Sequence, residues 1–109
     1  MVVRKAFDAA TLTRFRAMSA DDALDLLSMV LKDDRMFVPV KDVQTRRWHV
    51  TTVRGEFEIL TTGIQWYDTR AQRGGGGAID LAMHILGLSF VDAVKHLIAK
   101  GGAHGAHRS

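Results

Sequence analysis

Apolar positions in this chain recur with two different periods, and the period changes twice along its length. Near the start, Phe7, Leu12 and Phe15 are spaced among Arg4, Lys5, Arg14 and Arg16, which predicts a short helix over residues 9–18. Ser19 is followed three residues later by Asp22, the form of a capping box, in which side chains satisfy backbone N–H groups that a helix start leaves unpaired. Leu24, Leu27, Val30 and Leu31 then share one helical face, predicting a second helix to about Lys32. Asp21, Asp22 and Asp25 stand in its first turns, where the helix dipole favours negative charge.

The period then becomes two. Asp33-Asp34-Arg35 interrupts the helix, and residues 36–40 read as a short strand that Pro39, lacking a donor, confines to a sheet edge. Residues 48–53 and 56–61 are β-branched and alternating, and Arg54-Gly55 between them signals a hairpin. Thr62-Gly63 turns the chain into residues 64–67. Trp48, Val50 and Thr52 fall on one side of their strand, with His49, Thr51 and Val53 on the other. At most one of Trp48 and Trp66 is expected to be fully exposed.

Helical spacing returns with Ile79, Ala82, Met83 and Leu86, ending at Gly87, a natural C-cap. Ser89 with Asp92 repeats the capping box, and Phe90, Val94, Leu97 and Ile98 form the buried face of a last helix that Gly101-Gly102 should stop. The prediction is an α+β domain: a small antiparallel sheet of three to four strands, an N-terminal helix and two C-terminal helices. Residues 1–18 form an N-terminal segment, 19–102 the domain, and 103–109 a tail expected to be disordered.

Composition narrows the function classes. With 109 residues, 47% of them hydrophobic and 25% charged, the chain is sized and composed for one globular domain. No apolar run approaches the length of a membrane span and no signal segment opens the chain, so a cytoplasmic location is the default expectation. The absence of cysteine excludes disulfides, thiolate nucleophiles and cysteine-ligated zinc. A net charge of +3 permits an anionic partner without requiring one.

Candidate chemistry gathers around four consecutive glycines, 74–77. One reading makes Gly75, Gly76 and Gly77 a loop whose N–H groups, at the start of the next helix, cradle a phosphate. The other makes the run a plain connector that lets sheet and helix pack closely. It is not a nucleotide P-loop, because no Gly-Lys-Ser/Thr follows. Arg46, Arg47, Arg54, Arg70 and Arg73 lie on the predicted sheet or its turns, interleaved with Trp48, Trp66 and Tyr67. Cations that neutralise phosphates and aromatics that stack bases are the ingredients of single-strand binding; a solvated arginine face over a tryptophan core would look the same.

His49, His84, His96, His104 and His107 lack a convincing ligand spacing, so no metal is expected. Asp80 suits the stabilisation of a helix start better than catalysis, and Ser19 and Ser89 are better caps than nucleophiles. No catalytic constellation is visible.

Ile79-Asp80, Gly87-Leu88-Ser89-Phe90 and Ala93-Val94, after an aromatic residue and a glycine cluster, match a known pattern in order and spacing. Over residues 67–90 the chain resembles the zinc-binding domain of bacterial DNA primases and of related plasmid, phage and mobile-element primase proteins. The family's metal ligands are missing: its knuckle cysteines align with Thr69 and Gln72, and its upstream Cys-x-x-His pair with positions near Val38 and Lys41. The resemblance therefore implies a zinc-less form, with the hairpin held by Trp48, Phe57, Ile59 and Trp66 against the helices. It also implies a non-catalytic domain that recognises single-stranded template DNA and needs no cofactor. Arg46, Arg47, Arg70 and Arg73 would meet phosphates, and Trp66 or Tyr67 would stack a base. Two other expectations stay open: a module that docks onto a replication or conjugation enzyme, and a fragment of a longer primase-like protein.

Overall fold

A computed structural model describes residues 7–108, with side chains through residue 101. Arg4 and Lys5, and the side chains of His104 and His107, lie outside the described residues. The elements in order are α1 (Ala9–Ala17), α2 (Ala20–Leu27), β1 (Val30–Asp33), β2 (Arg46–Thr52), β3 (Gly55–Thr62), β4 (Gln65–Asp68), β5 (Arg73–Gly76), α3 (Ala78–Leu86) and α4 (Phe90–Arg108). The five strands form one antiparallel sheet in sequence order, β1-β2-β3-β4-β5, and the fold is α+β as predicted.

The predicted caps form. Ser19 Oγ accepts from Asp22 N at 3.1 Å and Ser89 Oγ accepts from Asp92 N at 3.1 Å. Asp8 caps α1 in the same way, accepting from Thr11 N. Gly87 takes the left-handed conformation, φ 66°, and closes α3, a conformation that costs glycine nothing.

Four expectations are corrected. First, α2 ends at Leu27, not near Lys32. Ser28 turns extended and its hydroxyl donates to Leu24 O at 2.6 Å. Met29 N then donates to Thr51 O, and Val30 and Leu31 pair with Thr51 and Val50 as β1. Two apolar residues suit either period, and pairing with β2 decided between them. Second, residues 36–40 are not a strand. Asp34 Oδ1 accepts from Met36 N and folds the segment into a turn, so β1 takes the sheet edge instead.

Third, the glycine run is not a loop. Gly74, Gly75 and Gly76 pair with Tyr67, Trp66 and Gln65 as part of β5. Fourth, α4 runs past Gly101 and Gly102 to Arg108, where the two glycines were expected to stop it. Glycine costs a helix interior about 1 kcal/mol but ends it only when it turns left-handed. Gly101 does not turn left-handed, and it lies against the Phe15 ring.

The core sits between the four helices and one face of the sheet. Phe15, Leu24, Ile59, Leu81, Ile85, Val94 and Leu97 are fully buried there. Because strand side chains alternate, the antiparallel register sorts each strand into two sets. Val50, Thr52, Phe57, Ile59, Thr61, Trp66 and Asp68 face the helices. Lys32, Arg47, His49, Glu58, Leu60, Gln65 and Tyr67 occupy the other face, which carries no helix. Trp48 and Phe57 are half-buried against the core, as expected, and Trp48 Nε1 donates to Asp21 Oδ1 and Thr61 Oγ1. Among the described residues no single helix is long and apolar enough to cross a membrane.

Candidate nucleic-acid interface

The site is built from the β4–β5 turn and the helix-free face of the sheet. The turn is anchored from behind. Asp68 is 2% exposed, and its Oδ1 accepts from the backbone N–H groups of Arg70 and Ala71 at 2.9 and 3.0 Å. Its Oδ2 lies 2.7 Å from His84 Nε2 on α3. Trp66 stacks on the imidazole with ring centroids 4.9 Å apart, and Phe57 meets it edge-on. Burial pushes the Asp68 carboxyl pKa upward, but the N–H of Ala71, the His84 ring and the N–H of Arg70 outweigh it and hold the pKa below its ordinary value. Thr69 bonds Glu58 through its hydroxyl at 2.6 Å, and Gln72 carries φ 54°. The turn is thus held by a buried carboxylate–imidazole pair, a link the sequence did not reveal. Asp68 is the kind of residue that accepts from N–H groups two residues on, a local signal; nothing local pointed to His84 as its partner.

The five predicted arginines do not share a surface. Arg46 faces the helix side, where it pairs with Asp33 and Asp21 and lies 4.6 Å over the Trp48 ring. Arg47, its neighbour, faces the other side; it binds Asp34 at 2.8 Å, reaches Glu58 at 3.8 Å and covers Phe37. That pairing holds the Asp34 carboxyl below its usual pKa. Arg54 folds its guanidinium over Gly87, at the end of α3. Arg73 lies in register with Asp68, toward the helix face. Arg70 stands exposed on the turn, and neither it nor Arg73 meets a carboxylate within ion-pair distance among the described residues.

The aromatic candidates separate equally sharply. Trp66 is 3% exposed and is core, so it cannot stack a base. Its indole N–H is buried without a partner among the described residues. Tyr67, the next residue, is 42% exposed on the open face. The glycines answer to these two rings. A Cβ on Gly74 would press the Tyr67 ring at 3.0 Å, and one on Gly75 would meet Trp66 at 2.8 Å and the Asp80 carboxylate. Glycine in β5 therefore lets one aromatic lie across each face of the strand.

That geometry removes the phosphate cradle. Gly76 N donates to Asp80 Oδ2 at 3.1 Å and Gly77 N donates to Ile64 O at 2.9 Å. Both of these N–H groups are used, and the Asp80 carboxylate stands on the first of them, where an anion would sit. Asp80 works as a helix-start residue, as its position suggested. The glycines do serve close packing, as a paired strand and not as the plain connector expected.

Two depressions mark the open face. A groove of about 760 Å³ lies between the segment that follows β1 and the sheet, walled by Phe37, Val40, Lys41, Leu60, Gln65 and Tyr67. A second, of about 540 Å³, is lined by Lys32, His49, Thr51, Glu56 and Arg70, with Val30 at its edge. Lys32 was hidden from sequence reasoning by the over-long helix, and Phe37, Leu60 and Gln65 carried no signal beyond their strand context. Among the described residues no group of three metal-ligating side chains converges. His96 is partly buried on α4, and burial with Lys100 nearby lowers its pKa.

No protein-family model matches the chain, and no solved structure does. The chain is similar to the "65 kDa protein" of Zymomonas mobilis subsp. mobilis, with 33% identity over 98 residues, covering 80% of this chain and 16% of that protein. The chain thus spans only a small part of the curated relative it matches.

Proposed function

We propose that this is a non-catalytic, zinc-less domain that binds single-stranded nucleic acid, DNA by its primase-type pattern, along the helix-free face of its sheet. It would act in the cytoplasm, in the replication of a plasmid, phage or mobile element. One observation carries this reading: Tyr67 lies exposed on that face, at the wall of a groove it shares with Lys41, and Arg70 lines the second depression of the same face. An exposed aromatic on an open antiparallel sheet is a stacking platform for a base, worth about 1–3 kcal/mol, and the cations would follow the backbone. Of the arginines named from sequence, Arg70 serves this reading directly. Arg46, Arg47 and Arg73 are paired or turned away.

The test is fluorescence anisotropy of a labelled single-stranded oligonucleotide at two salt concentrations, with duplex as competitor. Affinity should fall steeply with salt, as counterions are released. Tyr67→Ala should weaken binding about tenfold or more. Salt-insensitive binding, or none at low salt, would remove the proposal.

A specific observation favours a second reading, a module that docks onto a replication or conjugation enzyme. Met36, Val38, Val40 and Val43 are 75–93% exposed along one segment, an unusual run of bare apolar residues. The similarity to a small part of a much larger protein also suits a unit that works beside other domains, including a piece of a longer primase-like chain. Replacing Val38 and Val43 with serine should leave oligonucleotide binding intact and abolish partner binding if this reading holds.

A further inference from the structure

We infer that the second depression, formed by Lys32, His49 and Arg70, is a phosphate subsite for the backbone of a bound strand. The subsite rests on the single-strand reading, and it adds to Arg70 two residues from β1 and β2 that the reading does not use. Lys32 comes from β1, His49 from β2 and Arg70 from the β4–β5 turn. Lys32 and His49 are cross-strand partners, so their side chains leave the sheet side by side on the open face. Arg70 closes the pocket because Asp68 grips its backbone N–H and His84 grips Asp68.

The charges favour an anion. Lys32 and Arg70 meet no carboxylate within ion-pair distance among the described residues, so a phosphate would neutralise two free cations and would compete only with the contact between His49 and Asp34. The nearby acids are Glu56, which lines the pocket, Asp34, which lies 3.3 Å from His49 Nε2, and Glu58, opposite His49 in the register. Asp34 and Glu58 are drawn toward Arg47, which offsets their charge. Glu56 is exposed and paired with nothing among the described residues, so it can swing into solvent.

The position is also informative. Glu56 at this pocket and Leu60 in the groove are four residues apart on β3, about 13 Å at strand rise. A strand with a phosphate in one depression and a base against Tyr67 in the other would cross β3 obliquely. The interaction would be electrostatic and indifferent to sequence at the first site, stacking at the second.

Two arms test this on the full chain. In the first, inorganic phosphate is titrated while backbone amide resonances are followed by NMR. Shifts centred on residues 32, 49 and 70, lost in Lys32→Gln, are expected; shifts elsewhere or none would overturn the subsite even if no oligonucleotide bound. In the second, Lys32→Gln and Arg70→Gln are titrated with oligonucleotide. Each should weaken binding about three- to tenfold and reduce the salt slope by about one phosphate contact, while Arg73→Gln, on the opposite side, should change neither. If Lys32→Gln binds as wild type while Tyr67→Ala does not, the subsite falls and the single-strand reading stands. Phosphate shifts at the pocket with no effect on oligonucleotide would mark a site for free phosphate, and would also overturn the proposal.

Discussion

The two faces of this sheet use the same residue types for opposite ends. On the helix side, Arg46 is locked between Asp21, Asp33 and the Trp48 ring, and Trp66 is sealed against His84. On the open side, Tyr67 and Arg70 stand in solvent beside two depressions. Adjacent residues, Trp66 and Tyr67, are core and candidate ligand contact respectively. An aromatic-and-arginine signature in a strand therefore carries half its meaning in the residue types and half in their parity.

The comparison can be broken most forcefully from the buried side. Asp68→Ala should destabilise the fold by about 3–5 kcal/mol in urea denaturation, because it strands His84 and two backbone N–H groups that a buried carboxylate now satisfies. Trp66→Ala should cost a similar amount through the cavity it leaves. Acid should act on the same carboxylate. The folded pKa of Asp68 lies below its ordinary value of 3.8, so the unfolded chain binds the proton more readily. The stabilisation is full above that ordinary value and is lost as pH falls through the depressed one. Asp68→Asn should flatten that acid limb of a stability–pH curve; an unchanged limb would show that the pair contributes nothing.

Smaller effects sharpen the contrast. Gly75→Ala should cost about 1–3 kcal/mol, since its methyl would displace Asp80 and press on Trp66. Gly76→Ala, with open space around it, should cost less; equal losses would mean that the close packing is not what selects glycine. Arg46→Gln should lower stability by at most about 1 kcal/mol and leave oligonucleotide affinity unchanged, because its guanidinium is half-exposed and turned from the binding face. A marked loss of affinity there would reverse the assignment of faces.

Much of the fold was legible locally. Ser19, Ser89 and Gly87 set helix ends through bonds to residues three or four away, and the alternation along β2 put Trp48, Val50 and Thr52 on one side, the side that the structure buries. What misled was apolar residues compatible with two periods. Val30 and Leu31 continue the α2 stripe as well as they pair with β2, and only the partner strand chose. The glycines misled differently, because a bare strand gives no alternation to read. The site was less legible than the fold: Tyr67 and Arg70 were named, while Lys32, Phe37, Gln65 and the Asp68–His84 pair were not.

By itself, then, the sequence determined the α+β class, the helix caps, the two-sided alternation of the central hairpin and the absence of cysteine chemistry. These depend on near neighbours along the chain and on residue type. Only the tertiary structure decided that the glycines are a strand beneath two rings, that a carboxylate–imidazole pair holds the β4–β5 turn, and which arginines remain free. Those outcomes depend on contacts between residues tens of positions apart, where burial and charge pairing are settled by packing and leave no periodic trace in the chain.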